Sequence, residues 1–91
     1  MNENTMIKVL FESRLAYLPV IRKAIHGICS AVVQNPQILA DLDLCVSEAV
    51  SNVIFHSYKN ESGHEIQLIV SLFSTKIELQ IIDLGLKDAA V

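Results

Sequence analysis

The seven lysines and arginines of this 91-residue chain gather into no stripe, and ten aspartates and glutamates outnumber them, for a formal net charge of -3. With an isoelectric point near 5.4, that absence excludes duplex nucleic acid as a partner, because phosphate contacts need clustered cations. Cysteine is scarce too. Cys29 and Cys45 show neither CxxC nor Cys/His metal spacing; both fall inside apolar helical patterns and are expected to be reduced, buried, inert thiols of a cytosolic protein. No apolar run approaches the roughly 18 residues of a membrane span, and Met1 to Lys8 lack a basic stretch followed by an apolar one. The expectation is a soluble, cytoplasmic chain with no membrane partner. Repeats, low-complexity tracts and linkers are missing as well, which leaves one domain over 1–91.

What the chain has in plenty is apolar residues. They make up 52% of it, with a mean hydropathy of +0.43, so either the core is generous or some apolar surface is meant to be covered. Met6 to Glu12 alternates Ile7, Val9 and Phe11 against Lys8, Leu10 and Glu12, the two-residue period of a strand with one buried face. From about Tyr17 to Val33, apolar residues Leu18, Ile21, Ile25, Ile28, Cys29 and Val32 recur at three and four, with Pro19 tolerated in the first turn. Asn35-Pro36 breaks that helix. A second helix starts at about Pro36 or Asp41 and runs to His56, and the polar stretch Tyr58 to Gly63 is the loop that leaves it. Glu65 to Phe73 and Lys76 to Asp83 are then two strands, joined at Ser74-Thr75 by a hairpin that lacks the favoured Asn-Gly chemistry. The order β-α-α-β-β predicts an α+β fold, a two-layer sandwich with both helices on one face of an antiparallel sheet.

Two segments carry candidate chemistry. In the second helix, Leu42, Val46, Ala49 and Val53 form the expected apolar stripe, while Glu48, Asn52 and His56 follow one another at four-residue steps along one flank. A carboxylate, an amide and an imidazole on one seam differ from the Lys/Glu pairs of an ordinary solvated face, although a solvated flank ending in a helix-terminal His is an alternative. The second segment is Ile81-Ile82-Asp83-Leu84-Gly85, a strand ending in a carboxylate and a glycine. Such an Asp can cap a turn or accept a hydrogen bond from a ligand amine.

In this order and at this distance, the two segments resemble the nucleotide site of the GHKL (histidine kinase-like, Bergerat-fold) ATPase superfamily. Glu48 to Tyr58 is similar to its N-box, and Asp83 to Gly85 to the start of its first glycine box. Within the superfamily, Val46-Ser47-Glu48-Ala49-Val50-Ser51-Asn52 followed by His56-Ser57-Tyr58 most resembles the anti-sigma factor serine/threonine kinases, which also carry an Arg near Arg22 in their first helix. The resemblance implies that Asn52 coordinates the Mg²⁺ that bridges the phosphates of ATP, and that Glu48 is the general base toward a serine hydroxyl or water. It implies that Asp83 accepts from the exocyclic amine of adenine and that Gly85 gives the base room. His56 and Tyr58 shape the site or pack at the helix end. The implied partners are a sigma factor, an anti-anti-sigma protein and a second copy in a homodimer.

The chain also departs from that pattern. Lys87 stands where a second glycine is usual, and the sequence stops at Val91, so the phosphate lid, the second glycine box and the strands completing the sheet are expected to be missing from a truncated domain. Phosphoryl transfer depends on positioning and electrostatic stabilisation of the transferring group. The 91 residues alone are therefore expected to bind Mg-ATP weakly, through the adenine end, and to be a poor kinase. Two functions follow: the ATP-binding part of an anti-sigma serine kinase, or a catalytically inactive relative acting as a protein-binding or self-associating module.

Overall fold

The computed structural model describes residues 5–57 and 63–86. Strand β1 (Thr5–Glu12) alternates half-buried and exposed residues as far as Phe11, with Ile7, Val9 and Phe11 on the inner side. A 3₁₀ turn, Leu15–Tyr17, leads into helix α1 (Leu18–Ser30) with proline in its first turn, and Ile21, Ile25 and Cys29 at four-residue steps form its buried edge. This helix stops three residues short of Val33. Tight bonds from Ala31 N–H to Ile28 C=O and from Val32 and Val33 N–H to Cys29 C=O close its last turn.

Helix α2 (Pro36–Asn52) begins at the earlier of the two expected positions, and the reason is local. The Asn35 side chain accepts from the N–H groups of Gln37 and Ile38 at 2.9 and 3.4 Å, and Pro36 occupies the first turn, where its missing N–H costs nothing. A π-helical turn, Val53–Ser57, follows Asn52. There Ile54 remains in the core at 1% exposure while Phe55 turns outward. Tyr58 lies outside the described residues, as does Lys87.

Strand β2 (His64–Leu72) follows Gly63, whose positive φ of 96° favours glycine. It pairs antiparallel with β1, from Thr5 opposite Leu72 to Glu12 opposite Glu65. Strand β3 (Ile77–Leu86) pairs antiparallel on its other side, so the sheet order is β1-β2-β3. The chain reverses at Ser74-Thr75, where Phe73 N–H donates to Lys76 C=O at 2.9 Å. The fold is the expected α+β two-layer sandwich.

The core sits between β2 and the two helices. Ile66, Leu68, Val70 and Leu72 present one face of the central strand and join Ile21, Ile25, Cys29, Val46, Val50 and Ile54 in a single apolar cluster. Each large aliphatic side chain removed from water there contributes about 1.5–3 kcal/mol. The apolar stripe of α2 is turned from its expected centre: Val46 and Val50 are buried, whereas Leu42, Ala49 and Val53 are half-buried. Contact with α1 as well as the sheet accounts for the rotation, since α2 must bury the side between both neighbours.

Candidate functional site

The turned helix leaves its other flank beside β3. A groove of about 350 Å³ runs there, lined by Leu42, Cys45, Val46 and Ala49 of α2 and by Leu68, Ile77, Leu79 and Ile81 of the sheet. Toward the hairpin, a further space of about 540 Å³ shares Leu42 and Ile77 with it and is bounded by Val33, Phe73 and Lys76 among others. Cys45 corrects one expectation. It is a free and exposed thiol, not a buried one, because the flank of α2 that carries it looks onto the groove instead of onto packed neighbours.

Asn52 follows Cys45 by seven residues and Ala49 by three, which carries the groove-side edge of α2 two turns onward. Glu48, three residues after Cys45, lies one step farther round toward solvent. Both are exposed, and neither lines the groove. Asp83 is on β3 opposite Ile66, before the register shift at Glu65/Ile66. By strand alternation it shares the helix-facing side with Ile77, Leu79 and Ile81, beyond the end of the groove, and it is exposed. Gly85 lies opposite Glu65, just past that shift. Thus Glu48 and Asn52 on α2 and Asp83 on β3 belong to the two elements that flank one groove, and none of the three lines it. Past Asn52 the chain continues as the π-helical turn, which holds more residues per turn than an α-helix, and the side chain of His56 lies outside the described residues.

Two features escaped sequence reasoning. One is the exposure of Cys45. The other is a polar seam between α1 and α2, on the side away from the sheet: His26 Nδ1 lies 2.9 and 3.1 Å from the Asp43 carboxylate oxygens, and Arg22 Nη1 donates to Ser47 Oγ at 3.4 Å. Ser47 Oγ in turn donates to the Asp43 carbonyl at 2.9 Å. These contacts join residues 17 and 25 positions apart, so no local pattern announces them. Beneath them, burial pushes the Cys29 thiol pKa above its ordinary value, and the negative charge of Asp43 pushes it further.

The donors fit a nucleotide and its cation in kind. An aliphatic groove suits the faces of a purine, Asp83 can accept from an exocyclic amine, and one exposed amide oxygen suffices for Mg²⁺, which retains water and phosphate oxygens in its shell. Among the described residues no three His, Cys, Asp or Glu side chains converge as a metal site. No described helix is long and apolar enough to cross a membrane.

Comparison with known proteins gives the same direction. Serine-protein kinase RsbW of Bacillus subtilis (strain 168) is 26% identical over 84 residues, covering 92% of this chain and 52% of the relative. RsbW of Bacillus thuringiensis (strain Al Hakam) and of Bacillus cereus (strain AH820) are each 25% identical over 79 residues, covering 87% of this chain and 49% of the relative. The chain thus spans about half the length of these curated relatives. The histidine kinase-like ATPase domain matches residues 11–90. With that match across nearly its whole length, on an α+β sandwich of the corresponding order, the chain belongs to the histidine kinase-like ATPase domain family.

Proposed function

We propose that this chain supplies the adenine-nucleotide face of an anti-sigma serine/threonine kinase, a cytoplasmic protein that switches between a sigma factor and an anti-anti-sigma protein. What supports the reading is the aliphatic groove between α2 and β3, with Asn52 farther along that helix and Asp83 on the helix-facing side of that strand, beyond the lining residues. Asp83 recognises the adenine amine, and Gly85 leaves room for the base. Asn52 gives an amide oxygen to Mg²⁺, which neutralises phosphate charge. Glu48, free in solvent, accepts the proton of a serine hydroxyl brought by the partner. The relatives' designation as serine-protein kinases supports the assignment.

Calorimetric titration with adenosine, ADP and ATP, each with Mg²⁺, tests it. Asp83→Asn replaces an acceptor oxygen by an N–H pair facing the amine, and should weaken adenosine binding about tenfold, or about 1.4 kcal/mol. Asn52→Ala should leave adenosine affinity intact and remove the Mg²⁺-dependent gain of ADP over adenosine. Unchanged adenosine affinity in Asp83→Asn sinks the assignment.

A further inference from the structure

The apolar surplus of the sequence does not all lie between the helices and the sheet. On β1, the alternation that turns Ile7, Val9 and Phe11 inward turns Met6, Lys8, Leu10 and Glu12 to the opposite face, where Met6 and Leu10 are 59% and 56% exposed. By the same alternation that outer face carries Glu65, Gln67, Ile69 and Ser71 of β2 and Glu78, Gln80 and Ile82 of β3. Strand register gathers its apolar members. Ile69 stands opposite Lys8 and Gln80, so Met6 and Leu10 on one side and Ile82 on the other are its diagonal neighbours. This ring accounts for an exposure of only 8% at Ile69, although both helices pack on the opposite face of the sheet.

Charge on the face is lopsided. One outward step beyond the row formed by Leu10, Gln67 and Ile82, Glu12 stands directly opposite Glu65. Like charges opposed across strands are destabilising, and a cation brought from outside would relieve them. At the other end Lys76 already holds Glu78 at 3.0 Å. We propose that this outer face docks an amphipathic helix of another protein, its aliphatic stripe lying over Leu10, Ile69 and Ile82 and a Lys- or Arg-bearing turn meeting Glu12 and Glu65. The surface is on the side of the sheet away from the groove, so docking does not depend on nucleotide binding.

Backbone chemistry and charge select that occupant. The central strand β2 is paired with β1 on one side and β3 on the other. Its face therefore gives an incoming chain no main-chain partners, and the occupant must satisfy its own N–H and C=O groups, as a helix does. Leu10 and Ile82 lie two strand spacings apart, roughly 10 Å, which is the width one helix covers. A second copy laid on this face would bring the same excess of carboxylates, and an anionic lipid surface would be repelled by them. Cations flanking an aliphatic stripe complement both halves of the patch.

A synthetic helical peptide of roughly 18 residues, about five turns, with leucines along one face and lysines in one terminal turn, is the probe. Titrated into isotope-labelled chain, it should shift amide resonances of β1, β2 and β3 around Leu10, Ile69 and Ile82. Fluorescence anisotropy should give an affinity that Leu10→Ser and Glu65→Lys each weaken at least about tenfold, and a peptide with glutamates for lysines should bind at least about tenfold more weakly. Val20→Ser removes a residue of 63% exposure from α1 and should leave the affinity unchanged. Unchanged urea midpoints confirm that the variants fold. Absence of shifts at millimolar peptide overturns the proposal, as does equal affinity for the glutamate peptide or failure of either Leu10→Ser or Glu65→Lys to weaken binding. Preferential binding to phosphatidylglycerol vesicles gives the face to a membrane, and a dimer in sedimentation velocity that Leu10→Ser dissociates gives it to a second copy; either result overturns the helix assignment.

Discussion

The contrast between the two thiols gives a direct measurement of how the helices sit. Cys45 is exposed at the groove wall, whereas Cys29 has 0% exposure beneath the seam between α1 and α2. Reaction with an aromatic disulfide reagent needs a thiolate in contact with solvent. Cys45 meets that condition in the folded state; Cys29 meets it only after opening. If opening costs about 5 kcal/mol, the lower end of ordinary domain stability, Cys29 reacts roughly 5,000-fold more slowly than an open thiol. Stopped-flow absorbance should show one fast equivalent and one slow one, and peptide mass spectrometry should place the fast label on Cys45. Denaturant should merge the phases. Because burial, and then the charge of Asp43, raise the Cys29 pKa above 9.0, the folded state keeps a proton that the unfolded state releases. Stability should therefore fall as pH rises through 9.0 and upward, and the slow phase should accelerate beyond the increase in thiolate. Two equal rates, or a fast label on Cys29, would refute the packing of α2 argued above. A concentration of adenosine that saturates the chain by calorimetry should slow Cys45 labelling; an unchanged rate would mean that the base does not lie along this groove.

Three further substitutions test the fold that holds the site. Ile66→Ala removes a wholly buried side chain from the centre of β2 and should cost about 3 kcal/mol in urea unfolding, a loss under about 1 kcal/mol being inconsistent with its place in the core. Asn35→Ala deletes the cap of α2 and should cost about 1 kcal/mol, whereas Asn35→Ser should recover most of it. Gly27→Ala adds a methyl group that meets nothing within 4 Å, in an exposed helix position, and should stabilise the chain by about 0.8 kcal/mol; a lower melting temperature would show that α1 faces something unaccounted for.

The sequence by itself determined what short-range physics controls. The alternation of Ile7, Val9 and Phe11 made β1, the three-and-four spacing of Ile21, Ile25 and Cys29 made α1, and Asn35-Pro36 placed the start of α2, because each depends on local dihedral preference and one buried face. The order of those elements sufficed for the sandwich. The candidate residues Glu48, Asn52 and Asp83 came from a resemblance carried by two short contiguous segments, and their roles stand as a proposal. Tertiary structure alone decided which flank of α2 faces β3, because burial there is set by α1 and the sheet together: Val50 went fully inside, Ala49 only half, and Cys45 outward to the groove. A π-helical turn also follows Asn52, where the sequence reads as a continuing α-helix. The pairing of His26 with Asp43 depended on two helices coming side by side, a contact that no period along either helix encodes.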